Sequence, residues 1–158
     1  MTILIRDAGA GDGVALHAMV RELAIHHGHA ADFVSTSDDF ERFLSGPNPV
    51  GGALIALWDD APAGCAIWHR SFSTFRGRET LYLEDLAVLP PFRRLGIGRE
   101  LLGAVARLAR ARGVPAVTWV MMDWNDEARR LYAAAGVTFE PGTSICRLSG
   151  AALERLGS

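Results

Sequence analysis

Two cysteines, Cys65 and Cys146, are all that this 158-residue chain offers for cross-linking. So few exclude a scaffold built on disulfides and fit reduced thiols in a cytoplasmic protein. No apolar run approaches the roughly 20 residues that cross a bilayer, so no membrane partner is expected. The opening run meets Arg6 and Asp7 almost at once and is too short for a secretion signal. A large excess of one charge is also missing. Sixteen basic and eighteen acidic side chains leave a net charge of -2. That balance gives nucleic acid no electrostatic reason to be the partner. Repeats, low-complexity stretches and long linkers are absent too. Nothing marks a boundary, and a single domain over residues 1–158 is expected.

What is present is apolar material, 49% of the residues. That suffices for one sizeable core and argues against disorder. Thr2 to Arg6 reads as a strand. Asp12 is placed to cap a helix carrying Val14, Leu16, Met19, Val20 and Leu23 and ending near Gly28. Thr36 or Ser37 caps a shorter helix through Leu44, which Gly46-Pro47-Asn48-Pro49 breaks. Ala53 to Trp58, Gly64 to Phe72 and Leu81 to Leu89 read as strands. Ser73 to Arg78 reads as an exposed loop between the last two.

Ile97, Leu101, Leu102, Val105 and Leu108 recur at helical spacing, with Gly113 as the C-terminal stop. Ala116 to Met121 reads as a strand, and Asn125 caps a helix that Gly136 ends. Thr143 to Leu148 is expected as a last strand, and Ala151 to Leu156 as a terminal helix. The fold class is α/β, a mixed and mostly antiparallel sheet flanked by helices.

The segment from Pro90 to Arg99 follows a strand and opens the longest helix. Gly96 and Gly98 remove side chains where backbone N–H groups point out of a helix start, which makes an anion site. Arg93 and Arg94 add charge suited to phosphate oxygens. A P-loop lysine is absent, and so is the third glycine of a dinucleotide turn. The histidines His26, His27 and His29 are interrupted by Gly28. A zinc site needs three or four converging ligands, so helix-end histidines in solvent are expected and no metal is assigned.

Arg93-Arg94-Leu95-Gly96-Ile97-Gly98 resembles the pyrophosphate turn of the GNAT N-acetyltransferases. Phe75-Arg76-Gly77-Arg78, Tyr82-Leu83-Glu84-Asp85-Leu86, Asp123-Trp124-Asn125 and Leu131-Tyr132 resemble the diamine (spermidine/spermine) acetyltransferase branch. Arg21-Glu22-Leu23-Ala24 resembles it as well. This resemblance implies a cytoplasmic homodimeric enzyme that moves an acetyl group from acetyl-CoA to a small-molecule amine. It implies that Leu86, Ala87 and Val88 pair with the pantetheine arm, and that Arg93, Arg94, Leu95, Gly96, Ile97 and Gly98 line the pyrophosphate. Arg99 falls near the 3′-phosphate and Asn125 near the pantetheine. Arg94 stands where that branch often has glycine.

By the same resemblance Tyr132 protonates the departing thiolate and Glu84 is the candidate base. Asp85, His27 and Trp124 join Glu84 in binding the substrate. Alternation along a strand predicts that Glu84 and Asp85 face opposite ways. His27 stands where the branch often carries glutamate, which favours "small amine" over "long polyamine". Two alternatives stay open: another acceptor (amino acid, antibiotic or peptide terminus) and a noncatalytic acyl-CoA-binding module.

Overall fold

The computed structural model describes residues 2–47 and 49–158. Its five strands form one sheet in the order β1-β2-β3-β4-β5. β1 (Ile3–Asp7), β2 (Gly51–Trp58), β3 (Ala61–Ser73) and β4 (Arg78–Val88) are antiparallel to their neighbours. β5 (Val117–Thr118) joins β4 in parallel. This is the mixed, mostly antiparallel sheet expected from the sequence.

Helices α1 (Gly13–His26) and α2 (Ser37–Ser45) pack on one face, and α3 (Ile97–Ala111) packs on the other. Burial on both sides explains why Ala53 to Ala56 are all apolar and all buried. Strand alternation then divides them. Leu54 and Ala56 meet Ile97, Leu101 and Val105 of α3, while Ala53 and Ile55 meet Leu16 and Met19 of α1. Gly64 lets α3 approach: a Cβ there would lie 2.6 Å from the Ala87 carbonyl oxygen and 3.2 Å from Leu101.

Thr36 and Asp39 form a reciprocal capping box at the start of α2. That helix stops at Ser45, ahead of the glycine-proline break, of which Asn48 lies outside the described residues. At α1 the expected cap is corrected. Asp12 holds the N-cap position, but its side chain makes no cap bond. Its carboxylate instead takes two bonds from Arg6, at 2.7 and 2.8 Å, and one from the Gly9 N–H at 2.8 Å. Glu41, reaching across from α2, accepts the Gly11 and Gly13 N–H groups at 3.0 and 2.6 Å. Replacing Glu41 with alanine is expected to lower stability by about 1–2 kcal/mol in urea unfolding, because two opening amides lose their charged acceptor.

The C-terminal part follows the sequence reading less closely. Helix α4 (Asp126–Ala134) begins at Asn125 and gives way to Gly136 in the left-handed region, as expected. Helix α5 (Gly150–Leu156) forms. The strand expected over Ala116 to Met121 is only two residues long, and Thr143 to Leu148 forms no strand. The reason lies in β4. It pairs with β5 only at Leu81 and Tyr82, so β5 grows no long edge on which a further strand could register. Ile145, in the centre of that segment, is 71% exposed.

Among the described residues, no helix is long and apolar enough to cross a membrane.

Candidate functional site

Loss of β5 beyond Tyr82 leaves one edge of β4 open from Leu83 onward. A cleft of about 250 Å³ occupies this opening, between β4, the start of α3 and α4. Leu86, Ala87 and Val88 form its strand wall. Arg93, Arg94, Gly96, Ile97, Gly98 and Arg99 form its helix-start wall. Asn125 and Tyr132 close it from α4. Eleven of the twelve positions expected to face the coenzyme or its leaving sulfur thus line one cavity. The twelfth, Leu95, does not line it, and its side chain is exposed.

Backbone geometry makes the anion-binding end. Gly96 is the N-cap of α3, with φ of +87°, and no side chain caps the helix. The opening amides of α3 therefore point into the cleft with the positive end of the helix dipole behind them. Arg94 is left-handed as well, with φ of +63°. A non-glycine residue there costs about 1–2 kcal/mol, which is a physical reason for the glycine that the diamine branch often carries. Arg93 does not simply project into solvent. Its Nε donates to the Val88 carbonyl at 3.1 Å and ties the turn to the end of β4.

Two substitutions separate these roles. Gly96→Ala is expected to lose about 1–2 kcal/mol and to weaken acetyl-CoA binding, since alanine resists a φ of +87°. Arg94→Gly is expected to hold stability within about 1 kcal/mol, relief of strain offsetting the added freedom of the unfolded chain. Thermal melts and coenzyme titration measure both.

Asn125 does what its two functional groups allow. Its Oδ1 accepts the Ala128 N–H at 3.1 Å, capping α4, which leaves the amide NH₂ available to the cleft. Tyr132 is 7% exposed and meets Trp119 edge-on, with ring centroids 5.1 Å apart. Burial pushes its phenol above the ordinary tyrosine value, and a hydrogen bond with Trp119 opposes that rise. The hydroxyl therefore keeps its proton across the neutral range.

The two carboxylates are where the structure departs most from the strand pattern. Trp68 pairs with Leu83, and the next residue back, Ile67, pairs with Asp85. Glu84 is the extra residue of a β-bulge. Leu83 and, three positions on, Leu86 both pack toward α3. Ala87 packs toward α1. The bulge therefore turns Glu84 and Asp85 to the same, α1-covered side, and the expectation of opposite faces is corrected. His69 lies across from Tyr82 and stacks on it at 5.0 Å, with its Nε2 3.3 Å from Glu84 Oε2.

Proximity has an electrostatic consequence. Burial, reinforced by the charge of Glu84, raises the Asp85 carboxyl to about 6. Burial also raises the Tyr82 phenol, with Glu84 and Asp85 adding to the effect. Cys65 lies under the same face. Burial and then Asp85 push its thiol far up, so it stays neutral and is unsuited to act as a nucleophile.

Neither Glu84 nor Asp85 lines the cleft itself; they precede its strand wall by one or two residues. Trp124 and His27 are also outside it, but they meet each other at its rim, with ring centroids 5.8 Å apart. His26 stands 5.7 Å from Trp124 and does line the cleft. Burial, then the neighbouring His26 and His29, lowers the His27 value, so His27 is uncharged near neutral pH. Among the described residues, no three histidine, cysteine or acidic side chains group as a metal site.

Sequence reasoning missed Leu23, His26, Phe92, Glu127, Ala128 and Leu131 as cleft residues. Leu131 had a signal, one position before Tyr132 and facing Gly98, where a Cβ would come within 3.3 Å of it. Leu23 and His26 are three apart on α1, a spacing that places both on one helix face.

Residues 17–137 match the Acetyltransferase (GNAT) family. A thialysine N-epsilon-acetyltransferase of Caenorhabditis elegans is 32% identical over 89% of this chain and 88% of its own length. An L-ornithine N5-acetyltransferase of Arabidopsis thaliana is 31% identical over 81% of this chain and 52% of its own. Among solved structures, an integron cassette protein from the mobile metagenome of V. cholerae superposes with a TM-score of 0.80. It covers 99% of this chain and 98% of its own, at 21% identity, which bears on the fold alone.

Proposed function

The chain belongs to the GNAT acetyltransferase family and is an acetyl-CoA-dependent N-acetyltransferase; from there we propose that its acceptor is a small cationic amine, a diamine, polyamine or lysine-like amino acid. The observation that carries this reading is the bulge at Glu84, which brings two carboxylates together beside the open edge of β4. Two adjacent acids attract an ammonium group. Once it is bound, they offer a base for the proton it must lose, since an alkyl amine with an ordinary value of about 10.4 arrives protonated. The relatives named for thialysine and ornithine support the size and charge of the acceptor.

In the proposed reaction the pantetheine arm lies along Leu86 to Val88, and the pyrophosphate meets the opening amides of α3. Glu84, directly or through water, takes a proton from the ammonium. The freed nitrogen attacks the thioester carbonyl carbon, and main-chain N–H groups near Leu86 or Val88 steady the oxygen as it gains charge. The C–S bond breaks as the C–N bond is completed. The departing sulfur takes the Tyr132 proton, and the amine nitrogen sheds its second proton to the acidic pair or solvent. Asp85 holds the cation, and the Trp124–His27 rim bounds the acceptor.

We place the reaction in the cytoplasm, where the free thiols of Cys65 and Cys146 stay reduced. The working form in this reading is a homodimer. The exposed apolar side chains Phe72, Phe75, Ile145, Leu148 and Leu156 supply surface for it. Sedimentation at twice the 17.0 kDa chain mass supports the dimer, and sedimentation at the chain mass removes it.

The acceptor is tested by release of free thiol from acetyl-CoA with putrescine, spermidine, spermine, lysine, thialysine, ornithine and short peptides. Turnover is expected with the small diamines or the lysine-like amino acids. Preference for peptide termini, or for amines without a second charged group, would overturn the acceptor assignment and leave the reaction class standing.

A further inference from the structure

His69 is not part of the coenzyme cleft, yet both of its ring nitrogens are engaged. Nδ1 lies 3.2 Å from the Arg70 carbonyl oxygen, and Nε2 lies 3.3 Å from Glu84 Oε2. A carbonyl oxygen only accepts, so Nδ1 carries a hydrogen. Nε2 then has two options. Charged, it carries a second hydrogen toward Glu84; neutral, it presents a lone pair, which holds no proton against an ionised carboxylate. The ring is held for this contact by its stack on Tyr82.

Among the described residues, His69 is the only basic side chain paired with Glu84. Arg70, its neighbour, is turned to Glu79 at 2.9 Å, and Arg112 also reaches Glu79. β2 presents Gly51 across from His69. β4 contributes Glu84, Asp85 and Tyr82 to the same face. At the end of α1, His26 and His27 are occupied with Trp124.

We propose that His69 is a positioning residue that acts on amine binding through Glu84: charged, it occupies the carboxylate and opposes the incoming ammonium, and neutral, it releases both. This rests on Glu84 facing the acceptor. The site then takes cationic amines better with a neutral His69 than with a charged one. The pair is exposed, with 38% of the His69 side chain and 56% of Glu84 accessible. An exposed ion pair corresponds to about a two- to fivefold effect.

The test compares wild type, His69→Gln and His69→Arg in steady-state acetylation of putrescine and thialysine, at about pH 6 and about pH 8.5. Glutamine keeps a neutral donor to Glu84. Arginine supplies a permanent cation; lysine is avoided because the chain contains none and a new one could itself be acetylated. Changes in the amine and in Asp85 are common to all three proteins and cancel in the ratio.

The amine KM of wild type is expected to exceed that of His69→Gln by about two- to fivefold at the lower pH and to equal it at the higher. His69→Arg is expected to keep the high KM at both, with the acetyl-CoA KM unmoved. A wild-type to His69→Gln ratio that is the same at both pH values overturns the proposal. So does a parallel change in the acetyl-CoA KM, which marks a structural defect. Absence of turnover with either amine in wild type would instead strike the acceptor reading, and this proposal with it.

Discussion

Asp85→Asn is expected to make the protein more stable at neutral pH and a poorer catalyst. The sign follows from the direction of its shift. Burial, with Glu84 beside it, raises the Asp85 carboxyl from its ordinary range to about 6. A carboxyl raised on folding supports the folded state fully below the ordinary carboxyl range, where it is protonated in both states. That support is lost as pH rises through about 6, because the folded protein must then hold a poorly solvated charge. Asparagine carries no charge to bury. The variant should therefore melt higher than wild type at about pH 7.5, by an amount approaching about 3 kcal/mol, and show little difference at about pH 4. Equilibrium unfolding at the two pH values measures this directly. A gain of the same size at both would mean that packing, and not charge, is responsible.

Retaining an acid that destabilises the fold makes sense when the acid has work to do. The same substitution is accordingly expected to raise the amine KM while the acetyl-CoA KM stays put, because Asp85 lies outside the cleft proposed for the coenzyme. Improved stability with undiminished amine affinity would leave Asp85 as a structural acid.

Tyr132→Phe is expected to lower kcat by about a hundredfold or more, the usual range for loss of a positioned general acid. The substitution keeps the ring, its burial and its edge contact with Trp119 and removes the hydroxyl's bond with Trp119, so stability should fall by about 1 kcal/mol and acetyl-CoA affinity should change little. Burial raises the phenol, so in wild type the proton is present throughout the working pH range. The thiolate that leaves is thereby trapped as a thiol before it can return. A kcat within a factor of about three of wild type, measured by thiol release, would exclude Tyr132 as the proton donor and point to solvent.

Local chemistry explains why much of this was readable in advance. Thr36, Asn125, Gly113 and Gly136 announce helix ends through their own side chains or the lack of one, and each ends a helix in the structure. The glycine turn at the start of α3 was legible for the same reason, with Gly96 left-handed and a Cβ at Gly98 within 3.3 Å of Leu131. The arrangement of the acids was not legible from alternation. A bulge shifts every later residue to the other face without changing composition. Its trace was nevertheless present: apolar residues facing α3 fall at 81, 83, 86 and 88, a step of three among steps of two.

The missing last strand is a different kind of failure. Thr143 to Leu148 has strand-like residues, but a strand also needs an edge in register. That edge depends on β5, whose length is set by how far β4 stays beside it. The cleft and the short β5 have one cause, the divergence of β4 after Tyr82.

The central claim is that Glu84 and Asp85 together face the acceptor nitrogen, on the side of β4 that the bulge turned. A crystal structure with coenzyme A and a bound diamine tests it. One amine nitrogen is expected within about 3 Å of the acidic pair, and the coenzyme sulfur beside Tyr132. An acceptor seated away from both carboxylates, with Glu84 still paired to His69, would contradict it.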